Sequence, residues 1–210
     1  MSQVLRAIPI LRRDGTTVRL REATLADAPL IDGRNTELAW QGDFNDFGPR
    51  ERRLLADNLA DGKRMVAPDR GQLVVERIVD GENLGDVSWH TVRYGPNEES
   101  GALNIGIALV ATARGRGHGT EAQQLLVGLL FEHFDINRVE ASTDVENIAE
   151  QRSLEKAGFT REGILRGAQF RGGRYHDLVG YSILRADVAA GSEDPATASG
   201  DASDDARTPT

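Results

Sequence analysis

The chain has 210 residues, 39% of them hydrophobic and 28% charged, the balance of one water-soluble folded domain with a few residues to spare. Its 25 Lys and Arg against 33 Asp and Glu leave a net charge of −8, which lacks the cationic footprint that bulk nucleic-acid binding needs. The absence of cysteine excludes disulfides, thiolate metal sites and a thiol nucleophile, and four histidines leave little for a metal centre. No apolar run approaches the ~18 residues of a membrane span. Met1 to Leu11 carries arginines but no continuous apolar stretch, so no signal peptide is evident. A cytoplasmic protein without metal, membrane or nucleic-acid partner is expected.

In chain order, Val18-Arg19-Leu20-Arg21 alternates as a strand, and Thr24 is placed to cap a helix through Ala26, Asp27 and Ala28. Leu54, Leu55 and Leu59 at helical spacing predict a second helix over Arg50 to Asp61. Gln72–Val79 and Leu84–Val92 read as strands joined at Asp80-Gly81, a hairpin signal. The nearly continuous apolar run Leu103–Val110 has the pattern of a central strand. Ala122, Leu125, Leu126, Leu129 and Leu130 mark the longest amphipathic helix. Arg138–Thr143 is a strand, Ile148–Ala157 a short helix, and Phe159 to Leu184 two strands turning at Gly172-Gly173. This is a mixed α/β order in a single domain over residues 1–186. Beyond it, residues 187–210 are Ala, Gly, Ser, Thr, Pro and acids, which cannot bury enough apolar area to offset their ordering entropy; a disordered acidic tail is expected.

The segment between the central strand and the long helix, Val110 to Thr120, carries Gly115, Gly117 and Gly119 at alternate positions. Glycines let the backbone approach a ligand, and the first turn of a helix offers unpaired N–H groups and a positive dipole end, which suits a phosphate or pyrophosphate. Arg114 and Arg116 add charge. The Lys-Ser/Thr of a Walker loop is absent. A dinucleotide fingerprint would need glycine where Thr120 stands, although Glu140 lies at the spacing of its ribose-binding acid.

Arg114-x-x-Gly117-x-Gly119 resembles the pyrophosphate loop of GNAT-superfamily N-acetyltransferases. The likeness continues through Gly119-Thr120-Glu121-Ala122, Asn147, Glu155-Lys156-Ala157-Gly158-Phe159, Arg161-Glu162-Gly163 and Tyr175-His176-Asp177 before Tyr181-Ser182. The series is similar to the RimJ/RimL-type, ribosomal-protein N-terminal acetyltransferase branch. The resemblance implies a central mixed, largely antiparallel sheet, splayed at the cofactor site and flanked by helices. It implies acetyl-CoA as donor and direct transfer to a primary amine, either a small molecule or a peptide or protein N-terminus. The backbone at Leu109 and Val110, the loop Arg114, Gly115, Arg116, Gly117, His118, Gly119 and Thr120, and Asn147 are implied to bind the cofactor. Many relatives are homodimers.

Catalytic groups are harder to assign. Asn147-x-x-Glu150 also reads as a helix capping box. The branch commonly has serine, its proposed acid, where this chain has Glu150; other members use a tyrosine where Leu154 stands, and Ser153 lies nearby. Where the branch is expected to carry a basic glutamate, alignment places Gln169, which cannot accept a proton. His90, Glu150 and Asp177 are the catalytic candidates, Asp177 as a partner for the acceptor ammonium. Trp89, Tyr94, Glu99, Gln169 and His176 are candidates to bind the acceptor, with Trp89 to Ser100 as a selecting loop. Because adjacent strand residues face opposite ways, His176 and Asp177 cannot both enter one site. Trp40, Asp43, Phe44 and Phe47 form a second aromatic cluster. With serine, tyrosine and glutamate all missing, a catalytically silent coenzyme A-binding module is the alternative.

Overall fold

The computed structural model describes residues 8–36, 42–45, 47 and 54–190. Eight strands form one sheet: β1 (Arg12–Asp14), β2 (Val18–Arg21), β3 (Arg70–Arg77), β4 (Asn83–Arg93), β5 (Gly101–Leu109), β6 (Arg138–Asp144), β7 (Thr160–Arg171) and β8 (Arg174–Leu184). Their order across the sheet is β1-β2-β3-β4-β5-β6-β8-β7. Every neighbouring pair is antiparallel except β5 and β6, which run parallel over Leu103–Ile105 and Val139–Ala141. Beyond those three residues the two strands part, and Gly106 to Leu109 of β5 keeps a ladder only with β4. The mixed, splayed sheet is thus present.

Among the described residues five α-helices flank it: α1 (Ala28–Thr36), α2 (Leu55–Ala60), α3 (His118–His133), α4 (Ile148–Lys156) and α5 (Arg185–Ala190). Among the described residues no helix is long and apolar enough to cross a membrane. α3 presents Ala122, Leu126, Leu129 and Leu130 to one sheet face, where they join Leu20, Leu73, Val75, Val87 and Leu103 in the main core. On the other face Ala28, Ile31 and Leu55 of α1 and α2 cover Val74. Both faces of β3 are therefore covered, so Leu73, Val74 and Val75 are all buried despite pointing alternately.

Thr24 does begin a helical segment, with its backbone N–H donating to Asp27 Oδ2 at 2.8 Å, but the first turn (Leu25–Asp27) is a 3₁₀ turn leading into α1. Arg50 to Arg53, the start expected for the second helix, lie outside the described residues, and α2 begins at Leu55. β3 ends two residues before the predicted Val79, because Arg77 N–H bonds the carbonyl of Glu82 and closes a longer turn around Gly81. The turn at Gly172-Gly173 has φ of 54° and 79°, a conformation open to glycine at both positions. β5 lies inside the sheet between β4 and β6, as the apolar run Leu103–Val110 predicts, with Gly106 and Ala108 exposed where it leaves β6. β1 was missed, being three residues long and polar. At the far end, α5 runs to Ala190, where Asp187 Oδ2 accepts the N–H of Leu184 at 2.9 Å, so the first residues assigned to a tail are helical. Residues 191–210 lie outside the described residues.

Candidate active site

Where β5 and β6 part they leave a cleft of about 950 Å³, walled by Ile105 to Leu109 of β5, Ala141 to Asp144 of β6, and the facing sides of α3 and α4. One end opens at the glycine turn. A 3₁₀ turn (Ala111–Ala113) leaves β5, and Gly115 and Gly117 follow with φ of 71° and 86°. A Cβ on either glycine would meet no atom within 4 Å, so it is the left-handed backbone, rather than crowding, that calls for glycine. The open space beside them is the room a diphosphate needs. Glu121 N–H makes the first helical bond, to Gly117 O at 3.1 Å, which leaves the N–H groups of His118, Gly119 and Thr120 at the head of α3 without helical partners. These groups fit the diphosphate of a coenzyme A donor.

Not every residue of the loop faces that space. Leu109, Arg114, Gly115, Gly117, Gly119 and Thr120 line the cleft, with Arg114 also donating from Nε to Leu109 O at 2.9 Å. The His118 side chain turns inward and is buried, with Nδ1 unpartnered, so only its backbone is available there. Val110 is buried too, and its N–H is committed to Leu84 O at 2.9 Å. Arg116 is exposed outside the lining residues.

In the middle of the cleft a chain of polar side chains crosses from α3 to α4. Thr120 Oγ1 and Ser153 Oγ lie 3.1 Å apart, Ser153 Oγ donates to Gln123 Oε1 at 2.9 Å, and Gln123 Nε2 donates to Glu150 Oε1 at 2.5 Å. All four side chains line the cleft. Burial pushes the Glu150 carboxyl up to about 7, against the opposing effect of the Gln123 hydrogen bond. Asn147 caps α4, its Oδ1 accepting from Glu150 N–H at 3.3 Å while its Nδ2 donates to Thr143 Oγ1 at 3.0 Å. Only half of the expected capping box is present, since the Glu150 carboxylate turns to Gln123. Gln123 escaped the sequence reading; its one signal is a polar residue between Ala122 and Leu126 on the face of α3 that packs inward.

Asp144, Gln169 and the segment Gly42 to Asn45 also line the cleft, with Gly42 beside the Arg114 guanidinium. Asp144 is buried in an ion pair with Arg171, whose guanidinium stacks 5.3 Å from the Phe44 ring centre. His176 stands behind this pair, with Nδ1 3.2 Å from Asp144 Oδ2 and Nε2 3.2 Å from Arg171 O. His176 and Asp177 do face opposite ways. Asp177 is exposed and accepts the N–H of Gly167 at 2.7 Å, holding the bulge in β7 rather than facing the cleft.

The placement expected for Trp89 to Ser100 is corrected. Trp89 is 2% exposed and packs in the core beside Phe134, its ring so close over Gly71 that a Cβ there would lie 2.1 Å away. His90 points out from the opposite face of β4, exposed and apart from the lining residues. Tyr94 bonds Glu140 at 2.5 Å and Glu99 sits exposed in a 3₁₀ turn, neither lining the cleft. The wall they were expected to form is supplied by Asp43, Phe44 and Asn45. Trp40 lies outside the described residues.

Residues 17–160 match the profile of the acetyltransferase (GNAT) domain. Among curated relatives, the uncharacterized N-acetyltransferase p20 of Bacillus licheniformis is 32% identical over 44% of this chain and 52% of its own length. The putative ribosomal N-acetyltransferase YdaF of Bacillus subtilis is 29% identical over 60% of this chain and 67% of its own. The match thus spans about half to two thirds of these relatives. Among solved structures, spermidine N-acetyltransferase from Vibrio cholerae, in complex with CoA and spermine, superposes with a TM-score of 0.68 at 20% identity, covering 83% of this chain and 99% of that one. RimL, the ribosomal L7/L12 alpha-N-protein acetyltransferase in complex with coenzyme A, gives 0.62 at 22% identity, covering 84% and 97%. With the profile spanning well over half of its length, this chain belongs to the GNAT acetyltransferase family, and its relatives include one named for the ribosomal branch that its motifs resemble.

Proposed function

We propose that the chain is an acetyl-CoA-dependent N-acetyltransferase that moves the acetyl group directly to a primary amine on a small molecule or a peptide N-terminus. One observation carries this: a single cleft joins an open, left-handed glycine loop at the head of α3 to the half-buried carboxyl of Glu150, which Gln123 holds on the cleft wall. The loop amides take the diphosphate, and the unladdered edge of β5 from Gly106 onward offers backbone hydrogen bonds to the extended arm. The donor supplies the activated acyl carbon; the protein orients it and manages protons.

The neutral amine attacks the thioester carbonyl carbon, so the C–N bond forms as the C–S bond breaks. Glu150, pushed up to about 7 and so partly protonated at neutral pH, donates its proton to the departing sulfur, and the proton lost by the amine nitrogen restores it through water. Gln123, held by Ser153, fixes the carboxyl in place. Asp43 on the cleft wall favours a cationic acceptor, and the Phe44 ring accepts its apolar body. The names of the relatives support an amine acceptor, one acting on spermidine and another on a protein α-amine. Isothermal titration with acetyl-CoA and, in parallel, NAD tests the donor assignment. Micromolar binding of acetyl-CoA with none of NAD is expected; the reverse preference would overturn it.

A further inference from the structure

Arg171, the last residue of β7, is buried, and its guanidinium joins three elements around the cleft. Nη2 donates to Asp144 Oδ2 at the end of β6 and lies 3.1 Å from His176 Nδ1 on β8. Its Cζ lies over the Phe44 ring of the cleft wall, 5.3 Å from the ring centre. Asp144 carries this constraint on to the head of α4. Its Oδ1 accepts Glu146 N–H at 2.8 Å and its carbonyl accepts Asn147 N–H at 2.9 Å, and Asn147 caps the turn that bears Glu150. One cation therefore braces the helix of the proton donor on one side and the acceptor wall on the other. A buried ion pair adds little stability over a well-packed apolar pair, because desolvation offsets the attraction. Arg171 carries a further cost, since its Nη1 is buried with no hydrogen-bond partner among the described residues. What the arrangement supplies is geometry. A planar guanidinium bonds a carboxylate along its edge while an aromatic ring stacks on its face, and a lysine ammonium has no such plane.

We propose that Arg171 is a positioning residue for acceptor specificity: by holding the Phe44 ring against the cleft, it sets the affinity for an amine with an apolar body. The inference rests on the acetyltransferase reading above. Steady-state kinetics of the full chain test it, with acetyl-CoA and the fastest acceptor among phenylethylamine, hexylamine and a phenylalanine dipeptide amide, and with 1,4-diaminobutane as the amine lacking a bulky apolar body. Arg171→Lys keeps the charge opposite Asp144 but loses the stacked plane, so the acceptor KM rises about fivefold while kcat and the acetyl-CoA KM stay within about twofold. Asp144→Asn still accepts Glu146 N–H but turns an amide donor toward the guanidinium, and it raises the acceptor KM by a second route. Phe44→Leu raises it alike, and adding Arg171→Lys to that variant changes it less than about twofold further, because the two side chains act as one unit. An acceptor KM unchanged in Arg171→Lys or in Asp144→Asn overturns the inference, as does full multiplication of the two effects in Phe44→Leu/Arg171→Lys. So does an equal rise in the KM of acceptor and acetyl-CoA, which marks a merely structural role. A wild type that acetylates 1,4-diaminobutane but none of the apolar amines overturns this inference alone, and one that acetylates no amine overturns the acetyltransferase reading with it.

Discussion

Glu150→Gln separates the chemistry of the cleft from its architecture. A glutamine keeps the shape and still accepts the Gln123 amide hydrogen bond, which in the native protein spans 2.5 Å, but it carries no titratable proton. The Glu150 carboxyl sits at about 7 in the fold against an ordinary 4.5 in the unfolded chain. Between those two values the folded state holds a proton that the unfolded state has released, so stability falls as pH rises through this window and stays lowered above it. The gap corresponds to about 3 kcal/mol, which water reaching an open cleft reduces to roughly 1–3 kcal/mol. Glu150→Gln therefore matches the wild type in Tm near pH 4.5, and at pH 8 exceeds it by roughly 2–12 °C, at about 2–4 °C per kcal/mol for a chain of this size. Turnover moves the other way: kcat falls about a hundredfold or more at neutral pH, and the decline of kcat above about pH 7 caused by Glu150 ionisation disappears. Differential scanning calorimetry of both proteins across this range, with pH–rate profiles, gives both readouts. A Tm difference between the two that does not change with pH would refute the buried-acid reasoning, and unchanged turnover would refute the proton-donor role.

Gly117→Trp forces a bulky L-residue to a φ of 86° and fills the open space beside the loop, so acetyl-CoA affinity drops beyond detection by calorimetry; retained affinity contradicts the loop assignment. Trp89→Ala removes a core ring and costs about 3–5 kcal/mol of stability in urea unfolding, while Trp89→Phe leaves the KM for the acceptor unchanged, as expected for a side chain outside the cleft. Asp177→Asn lowers stability slightly and leaves acceptor KM unchanged, because the carboxylate holds a bulge amide; a large rise in KM would return it to the acceptor site. Asp27 is buried, which by itself raises its pKa, but the paired hydrogen bonds from Arg21 at 2.8 and 2.9 Å, with help from Thr24 and Asn83, hold it well below the usual 3.8. The stability it contributes is full above 3.8 and lost as pH falls further, so Asp27→Asn flattens the acid limb of a pH–Tm curve.

The features legible in the sequence were those dictated by local chemistry. Glycine at 115, 117, 172 and 173 announces left-handed backbone, and all four have positive φ. Asn147 announces a cap, and its Oδ1 makes one. What stayed hidden depends on which face of a strand another element covers. Trp89 and His90 alternate as any strand pair does, and nothing local reveals that α3 lies over the Trp89 side. Glu150 had two partners available, and only the packing of α3 on α4 brings Gln123 closer than the Asn147 amide. The Gly42 to Asn45 wall is set by contacts with residues more than sixty positions away, such as Arg114 against Gly42 and Arg171 against Phe44.

Amine acetylation in the one cleft shared by the glycine loop and the Glu150 carboxyl is the reaction proposed. It is tested most directly by incubating the protein with acetyl-CoA and a panel of amines, including peptide N-termini, lysine side-chain peptides, polyamines and aminoglycosides, and following free thiol and acetylated product. Stoichiometric thiol release and acetyl-amine formation are expected with at least one class, lost in Gly117→Trp and sharply reduced in Glu150→Gln. Tight acetyl-CoA binding with no transfer to any amine would contradict it and favour a coenzyme A-binding module without catalysis.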